Sequence, residues 1–407
     1  MTNNNDKKVL NVPHLIDKGN VIRNVPALRF PEFSGEWSKD TLQNVVAFSN
    51  GKAHESCVDE NGCYILVNSK FISTEGSVIK KATLQLSPLF KSQFVMVMSD
   101  LPNGKALAKC FYIEEDNIYT LNQRICSFTT RNRNISRFLM YQINRNKYYL
   151  RYDDGINQTN LKKGEVLACP VFIPSIQEQT KIATFIHLLD KRIATQNKII
   201  EDLKKLKSAI IEEHYKHTQK QNACVADLGV PFNVGNLSKE ELSETGTSCV
   251  IYGELFTTYG EIINHVESHT NKLDGMTLSK KGDLLFPSST TVDALSLIAP
   301  SAINVDNVIL GGDMFGIHIN SGFNAQYLSY YFNHLAKKQF AKHAKGSTII
   351  HLHYKDIEKA QLLLPCLVEQ NKMAACLVLL DEKIRIESSH LQSVVKQKMY
   401  LLHQMFI

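Results

Sequence analysis

A chain of 407 residues is too long for one ordinary hydrophobic core, so two or three domains are expected. With 43% hydrophobic and 21% charged residues, no apolar run of membrane-spanning length and no signal-peptide pattern, the composition favours a cytoplasmic globular protein over a membrane or secreted one. The net charge of +6 permits an anionic partner without requiring one. The nine scattered cysteines, none in a CxxC pair, favour reduced thiols over disulfides or a zinc site.

The predicted elements follow the chain as two mixed α and β segments, each followed by a long helix. In the first segment, short apolar β-rich runs at 62–67, 92–99 and 166–173 alternate with glycine-containing turns, and residues 135–145 have helical spacing. In the second segment, a longer helical pattern covers 325–343.

The starts of the two long helices are copies of one another. IPSIQEQTKIATFIHLLDKRI at 173–193 aligns with LPCLVEQNKMAACLVLLDEKI at 364–384, at a constant separation of 191 residues (365 − 174). Weaker parallels pair 64–76 with 249–260, 94–104 with 283–291 and 42–51 with 225–235. Together they predict an internal repeat.

The repeat predicts an α+β protein with two globular domains and two long helices. The expected boundaries are an N-terminal extension at 1–36, a first globular domain at 37–174, a first helix at 175–218, a second globular domain at 219–365 and a second helix at 366–407.

Alternate steps of four and three residues along both helices meet apolar side chains for about forty residues, roughly 60 Å of helix. Because a globular core offers no flat surface of that length, we expect the helices to pair as an antiparallel coiled coil, with pseudo-two-fold symmetry between the halves. Full register places Gln196 opposite Glu387. The predicted seam consists of Ile182, Ile186, Leu189, Ile193, Ile200, Leu203, Met373, Leu377, Leu380, Ile384, Leu391 and Val394.

The first helix begins with the pattern of a capping box. Ser175 is expected to accept from the Glu178 N–H, and the Glu178 side chain to reach back to Ser175. The second helix has Cys366 at the cap and keeps only Glu369, so its first turn should fray more easily.

Catalytic motifs are absent from the sequence, including phosphate-binding loops, GxGxxG, HExxH, GxSxG and the [ND]PP[YF] motif of amino-methyltransferases. His351 and His353 lie two apart on one side of a predicted strand, but a metal needs further ligands. Asp153 and Asp154 are interpreted as solvated acids in a turn. No catalytic residue and no metal site are therefore expected.

The remaining polar features suit DNA. Six basic residues and no acidic residue lie between Arg131 and Arg151, and two reading domains held apart by a rigid spacer fit a duplex with two half-sites. Basic and amide side chains in loops would contact phosphates and base edges, although loops of this composition are also common as ordinary solvated surface. The candidate DNA-binding residues are Lys105, Lys109, Asn122, Gln123, Arg124, Arg131, Arg133, Ser288, Ser289, Thr290, Thr291, Lys342, Lys345 and Ser347.

These features resemble the specificity (S) subunits of type I restriction–modification systems. The resemblance is carried by the paired helix starts PSIQEQTKIA and PCLVEQNKMA, by PALRFPEFSGEW at 26–37, and by LNQRICSF at 121–128 and GINQTNLKKGEVLACPVFIP at 155–174. It covers about residues 26–407 and is weakest within 225–345. GGD at 311–313 replaces NQR at 122–124, so base-reading roles do not transfer directly between the halves.

The resemblance implies that each globular domain is a target recognition domain that reads one half of a split, asymmetric site in double-stranded DNA. The helices would set the unread spacer and dock two modification (methyltransferase) subunits, which bind S-adenosylmethionine and methylate adenine. Restriction subunits that translocate DNA with ATP and Mg²⁺ would join for cleavage. The chain itself would hold no cofactor, perform no catalysis and have no membrane partner.

Two alternatives stay open. A non-catalytic coiled-coil scaffold would bind protein or carbohydrate through its end domains, and salt-dependent binding to duplex DNA would distinguish the two interpretations. A lone methyltransferase is disfavoured because no cofactor loop is visible, and binding of S-adenosylmethionine by the isolated chain would support it.

Overall fold

The structure, a computed structural model, describes residues 24–102, 104–132 and 134–407. Two compact units divide the chain: one contains the residues up to Thr195 together with Leu391–Ile407, and the other is Gln196–His390. Among the described residues, every helix is too short or too polar to cross a lipid bilayer.

The first unit is built from short strands and short helices, followed by one long helix. Its strands are β1 (Ser38–Thr41), β2 (Val46–Asn50), β3 (Tyr64–Val67), β4 (Lys81–Ala82), β5 (Phe94–Val97), β6 (Ser99–Asp100), β7 (Cys110–Tyr112), β8 (Tyr119–Leu121), β9 (Ile125–Thr130), β10 (Thr159–Asn160) and β11 (Pro170–Ile173). Its helices are α1 (Leu42–Val45), α2 (Ser69–Ser73), α3 (Ser136–Ile143), α4 (Lys147–Leu150), α5 (Lys163–Leu167) and the start of α6 (Ile176–His217).

A four-stranded antiparallel sheet, in the order β2-β9-β5-β7, forms the centre of this unit. Strand β5 is buried at all four positions. Because successive side chains of a strand point to opposite faces, Phe94 and Met96 enter one apolar core and Val95 and Val97 enter another. A second sheet, β4-β3-β8, and the two-stranded ribbons β1–β11 and β6–β10 complete the unit.

The second unit uses the same kinds of element. Its strands are β12 (Lys220–Cys224), β13 (Gly229–Asn233), β14 (Leu242–Ser243), β15 (Thr247–Ile251), β16 (Ile262–Ile263), β17 (Ser268–Thr270), β18 (Thr277–Leu278), β19 (Asp283–Pro287), β20 (Ser289–Thr290), β21 (Ser301–Ile303), β22 (Ile309–Gly311), β23 (Met314–Ile319), β24 (Ile350–His351) and β25 (Gln361–Pro365). Its helices are α7 (Glu254–Thr257), α8 (Ala294–Leu297), α9 (Ala325–Tyr330), α10 (Lys337–Ala341), α11 (Tyr354–Ile357) and the start of α12 (Leu367–Met405).

The strand orders confirm the predicted internal repeat. The order β13-β23-β19-β21 matches β2-β9-β5-β7, and the parallel pair β15–β22 matches β3–β8. The ribbons β12–β25 and β20–β24 match β1–β11 and β6–β10. All three weak sequence parallels fall on equivalent elements of the two units. Strand β17, antiparallel to β15, matches β4, antiparallel to β3, and strands β14, β16 and β18 enlarge the sheets of the second unit.

The two long helices are confirmed, with 42 residues in α6 and 39 in α12. In the second unit they run antiparallel, because Gln196 bonds Glu387 while Lys207, further along α6, bonds Asp381 at 2.7 Å. The predicted pairing of Gln196 with Glu387 is therefore confirmed.

The seam residues differ in how completely they are covered. Those that join a domain core, such as Ile186 and Leu377, are fully buried because the core as well as the other helix covers them. The buried seam positions are Ile182, Ile186, Ile200, Met373, Leu377 and Val394. The half-buried ones are Leu189, Ile193, Leu203, Leu380, Ile384 and Leu391.

Candidate nucleic-acid interface

A buried glutamine joins each long helix to its globular domain. The Gln179 amide donates to the Pro174 carbonyl at 3.0 Å and accepts from the Ile135 N–H at 3.0 Å, at the start of α3. Gln370 does the same with the Pro365 carbonyl at 2.8 Å and the Asn324 N–H at 2.9 Å. Each side chain thus satisfies backbone groups at two element ends, which explains why the sequence repeats glutamine at this position.

The structure contains one of the two hydrogen bonds of the predicted capping box. Ser175 Oγ accepts from the Glu178 N–H at 3.3 Å, but the Glu178 carboxylate does not return to Ser175. Arg29 binds it with two bonds of 2.7 Å, and the Trp37 indole donates to it at 3.3 Å. A buried carboxylate is compensated far better by a guanidinium fork than by one backbone N–H. Segment 26–37 therefore supplies the partners of the first helix start.

A tyrosine and a lysine bind the same aspartate in each unit. The Tyr141 hydroxyl donates to Asp190, which also pairs with Lys398. In the second unit Tyr330 donates to Asp381 at 2.6 Å, and Lys207 completes the group. Burial raises the pKa of both tyrosines well above the ordinary range, and the neighbouring aspartate adds to the rise. These contacts attach both long helices to the domain helices α3 and α9.

The second unit adds another carboxylate to this group. Lys207, only 8% exposed at its side chain, also pairs with Glu261 at 2.8 Å, and Glu261 accepts from His334 at 2.7 Å. Burial disfavours the charge on Glu261, but the bonds from His334 and Lys207 outweigh it and lower its pKa to about 2. Within the described part of the first unit, Lys398 has Asp190 as its single carboxylate partner.

The candidate DNA-binding residues of the first unit have different surroundings. Lys105, Arg124 and Arg131 are exposed, and Arg124 has a positive φ of 66° in the turn between β8 and β9. Lys109 donates to the Ser73 carbonyl at 2.9 Å and pairs with Glu75. The Asn122 Oδ1 atom is buried without a hydrogen-bond partner, and the Gln123 amide donates to Glu55. Arg133 lies outside the described residues.

In the second unit the ribbon β20–β24 brings several candidates together. Ser289 and Thr290 pair with His351 and Ile350, and Lys345 exchanges two backbone bonds with His351. Lys345 also pairs with Asp356 at 2.5 Å. Of the full set, Ser288 and Ser289 are buried, Thr290 is half-buried, and Thr291, Lys342, Lys345 and Ser347 are exposed.

Part of the basic run 131–151 has structural partners. Arg137 pairs with Glu114 at 2.7 Å, lies 3.7 Å from the centre of the Tyr112 ring and contacts His187. Burial lowers the pKa of His187, and the charge of Arg137 lowers it further. Arg145 donates to the Leu107 carbonyl at 3.1 Å. The exposed Arg131 and Lys147 are better placed for phosphates than Arg137.

The described residues contain no group of three or more histidine, cysteine, aspartate or glutamate side chains arranged to hold a metal ion. The positioning residues missed from the sequence are Arg29, Trp37, Gln179, Gln370, Tyr141 and Tyr330. The sequence did carry one signal for the tyrosine, aspartate and lysine groups: Lys207 and Lys398 interrupt the apolar seam at equivalent positions of the repeat.

Comparison with known proteins gives consistent matches. A family model described as the type I restriction modification DNA specificity domain matches residues 34–205 and again 225–397. A putative type I restriction enzyme MjaX specificity subunit from Methanocaldococcus jannaschii is 22% identical over 267 residues. That alignment spans 61% of this chain and 61% of the relative.

Two solved structures share the fold. The S subunit of a type I restriction–modification system from M. genitalium has a TM-score of 0.63 and 15% identity, over 94% of this chain and 99% of its own. A chain from work on complex assembly and conformational transition of the type I R-M system has a TM-score of 0.50 and 14% identity, over 90% of this chain and 96% of its own. Since the family model matches well over half of the residues, in two copies that follow the structural repeat, the chain belongs to the type I restriction–modification DNA specificity family.

Proposed function

We propose that this chain is the specificity subunit of a type I restriction–modification complex and that each unit reads one half of a bipartite site in double-stranded DNA. The observation that carries the proposal is the structural repeat. Each unit has the same central sheet order and contains part of both long helices. Two readers of one architecture, with different loops, suit a site with two different halves.

Exposed basic side chains would hold the DNA backbone, and loop side chains would read the bases. Lys105, Arg124 and Arg131 offer charge in the first unit, and Lys342 offers it in the second. Phosphate contacts of this kind fix the orientation of a protein on DNA, while base-edge contacts carry the sequence information. Among the candidates, the exposed ones are therefore the first to test.

The helices would set the unread spacer between the half-sites and dock two modification subunits. Those partners would bring S-adenosylmethionine and methylate adenine, and restriction subunits would bring ATP- and Mg²⁺-dependent translocation. This chain would contribute recognition and geometry without catalysis. The helices can set the spacer only if each globular domain keeps a fixed orientation on its helix. The bonds of Tyr141 with Asp190 and of Tyr330 with Asp381 support such a fixed orientation.

A domain exchange tests the proposal. Residues 37–174 are replaced by the equivalent segment of a relative, the chain is produced with its modification subunit, and methylated adenines are mapped by single-molecule sequencing. One half of the methylated motif should change while the other stays intact. Changes in both halves, or in neither, would contradict the two-reader arrangement.

The spacer is tested by inserting four residues next to Asn197 in α6. We expect the gap between the two halves of the motif to lengthen, or methylation to be lost. An unchanged gap with full methylation would exclude a measuring role for the helices. Salt-dependent binding of the complex to duplex DNA separates this function from that of a protein or carbohydrate scaffold.

A further inference from the structure

We propose that a two-stranded ribbon in each unit enters the major groove, and that the exposed aliphatic residue beside it, Leu101 in the first unit and Val292 in the second, contacts bases. The inference rests on the proposed function and deepens it, because it names the reading element and two specificity-determining residues. The inference is drawn from the structural features that ribbons β6–β10 and β20–β24 have in common.

The ribbons β6–β10 and β20–β24 occupy equivalent places in the repeat. In the first, Asp100 lies opposite Thr159 and Ser99 opposite Asn160; in the second, Ser289 lies opposite His351. A two-stranded ribbon is narrow enough for the major groove of B-form DNA. Ser99, Thr159 and Ser289 are buried, whereas Asn160 is exposed and Thr290 and His351 are half-buried. These accessible side chains are of the types that bond base edges.

Hydrogen bonds to Asp100 hold the described residues on either side of position 103, and Leu101 is exposed to solvent. The Asp100 carboxylate accepts from the N–H groups of Leu101, Ala106 and Leu107 at 2.9, 2.7 and 3.0 Å. A Cβ atom at Gly104 would lie 2.1 Å from Asp100 Oδ2, so a larger residue at that position would displace the Asp100 carboxylate. The Asp100 charge is thus turned inward, whereas Leu101 remains 68% exposed.

The loop after β20 is also held by side-chain hydrogen bonds, in a different pattern. The Val292 N–H donates to Thr290 Oγ1 at 3.2 Å, and Asp293 accepts from the Ser296 N–H at 2.7 Å to cap α8. Val292 is 72% exposed. One exposed aliphatic side chain is ordinary on a protein surface. Leu101 directly follows β6 and Val292 lies two residues after β20, so both units place an exposed aliphatic side chain in the loop that leaves this strand, which fits a contact made with a ligand.

The strand that completes each ribbon adds a second aliphatic side chain. Ile156 precedes β10 and is 79% exposed, and Ile349 precedes β24 and is 49% exposed. Gly155, with a φ of 70°, directly precedes Ile156, and its equivalent in the repeat, Gly346, with a φ of 115°, lies three residues before Ile349. Each ribbon end therefore combines polar groups with two aliphatic side chains.

The chemistry of this combination fits base pairs that contain thymine. The thymine 5-methyl is an apolar group in the major groove, and cytosine has no methyl group at that position, so aliphatic side chains favour thymine. The neighbouring hydroxyl and amide groups can bond the adenine or guanine edges. Leu101 and Val292 would thus select for thymine at one or more positions, one residue for each half of the site.

The test uses Leu101→Ser and Val292→Ser, produced with the modification subunit from the same source in a strain free of other adenine methylation. Controls are Ile79→Ser and Leu273→Ser, which alter aliphatic residues 50% and 62% exposed outside the ribbons and their loops. The probe is the genomic DNA of that strain, read by single-molecule sequencing. Circular dichroism of the chain checks that each variant folds, and Trp37 fluorescence adds a check of the first unit for Leu101→Ser and Ile79→Ser.

We expect Leu101→Ser to relax base selection only in the half assigned to the first unit by the domain exchange. Val292→Ser should relax the other half, each with a loss of about tenfold in preference for the wild-type base. The salt dependence of DNA binding should stay unchanged, because no charge is removed. Wild-type motifs and preferences in both variants, or relaxation in the wrong half, would overturn the inference and leave the two-reader function standing. A wild-type complex without a bipartite motif would instead refute the function itself.

Discussion

Replacement of Lys207 by methionine should destabilise the second unit strongly, because it leaves two carboxylates, Glu261 and Asp381, without their shared cation. The bonds from His334 and Lys207 together lower the pKa of Glu261 from 4.5 to about 2 in the folded chain, which corresponds to about 3 kcal/mol of stability at neutral pH, and Lys207 supplies part of it. Breaking a buried pair typically costs about 3–5 kcal/mol. For a unit of this size, we expect the melting temperature to fall by about 6–12 °C.

The repeat supplies the matched control. Lys398→Met removes the equivalent cation in the first unit, where a single carboxylate, itself 32% exposed, loses its partner, so the cost should be about 1 kcal/mol. Circular dichroism follows both variants. Fluorescence of Trp37, the single tryptophan, follows the first unit alone.

The pH dependence gives a second check with a defined sign. Since the folded pKa of Glu261 is lowered, its stabilisation is complete above the unfolded value near 4.5 and is lost as the pH falls towards 2. The difference in melting temperature between wild type and Lys207→Met should therefore shrink across that range. Equal losses for the two lysine variants at neutral pH, or a difference independent of pH, would refute the reasoning.

Three further variants test the helix starts and the seam. Glu178→Gln cannot keep the two bonds to Arg29, so urea denaturation should show a loss of about 3 kcal/mol, and unchanged stability would contradict a structural role for this pair. Cys366→Ser should supply the missing cap of α12, raise stability by about 1 kcal/mol and slow hydrogen exchange at the Glu369 N–H; an unaltered exchange rate would show that capping is not what limits the first turn. Gln196→Leu should raise the melting temperature because it extends the apolar seam, whereas a decrease would mean that the bond to Glu387 is worth more than the added burial.

The repeat made much of the architecture predictable. The apolar seam follows from the spacing of residues within each helix, which is a local property of the sequence. The pairing of Gln196 with Glu387 follows from the fixed separation of 191 residues between the two copies. The fold class and the two long helices were therefore within reach of sequence analysis.

The partners of individual side chains were not predictable in the same way. Local spacing assigned the Glu178 carboxylate to Ser175, but Arg29 and Trp37, 149 and 141 residues away along the chain, bind it. Residue type alone also made Lys109 and Arg137 resemble phosphate ligands. Tertiary contacts with Glu75 and Glu114 engage their charges, and no local pattern encodes those contacts.

The discontinuous first unit has a consequence for synthesis. Its core is completed by the end of α12, where Met405 is buried, the Phe406 ring centre lies 5.3 Å from that of Phe138, and the Gln404 carbonyl accepts from the Leu28 N–H. The second unit, Gln196–His390, is one continuous stretch. On the ribosome the first unit therefore emerges early but stays open until the last helical turn has been translated, so the second unit should close its core first. A chain truncated before the last turn of α12 would leave the first unit with an exposed apolar face that proteases can attack.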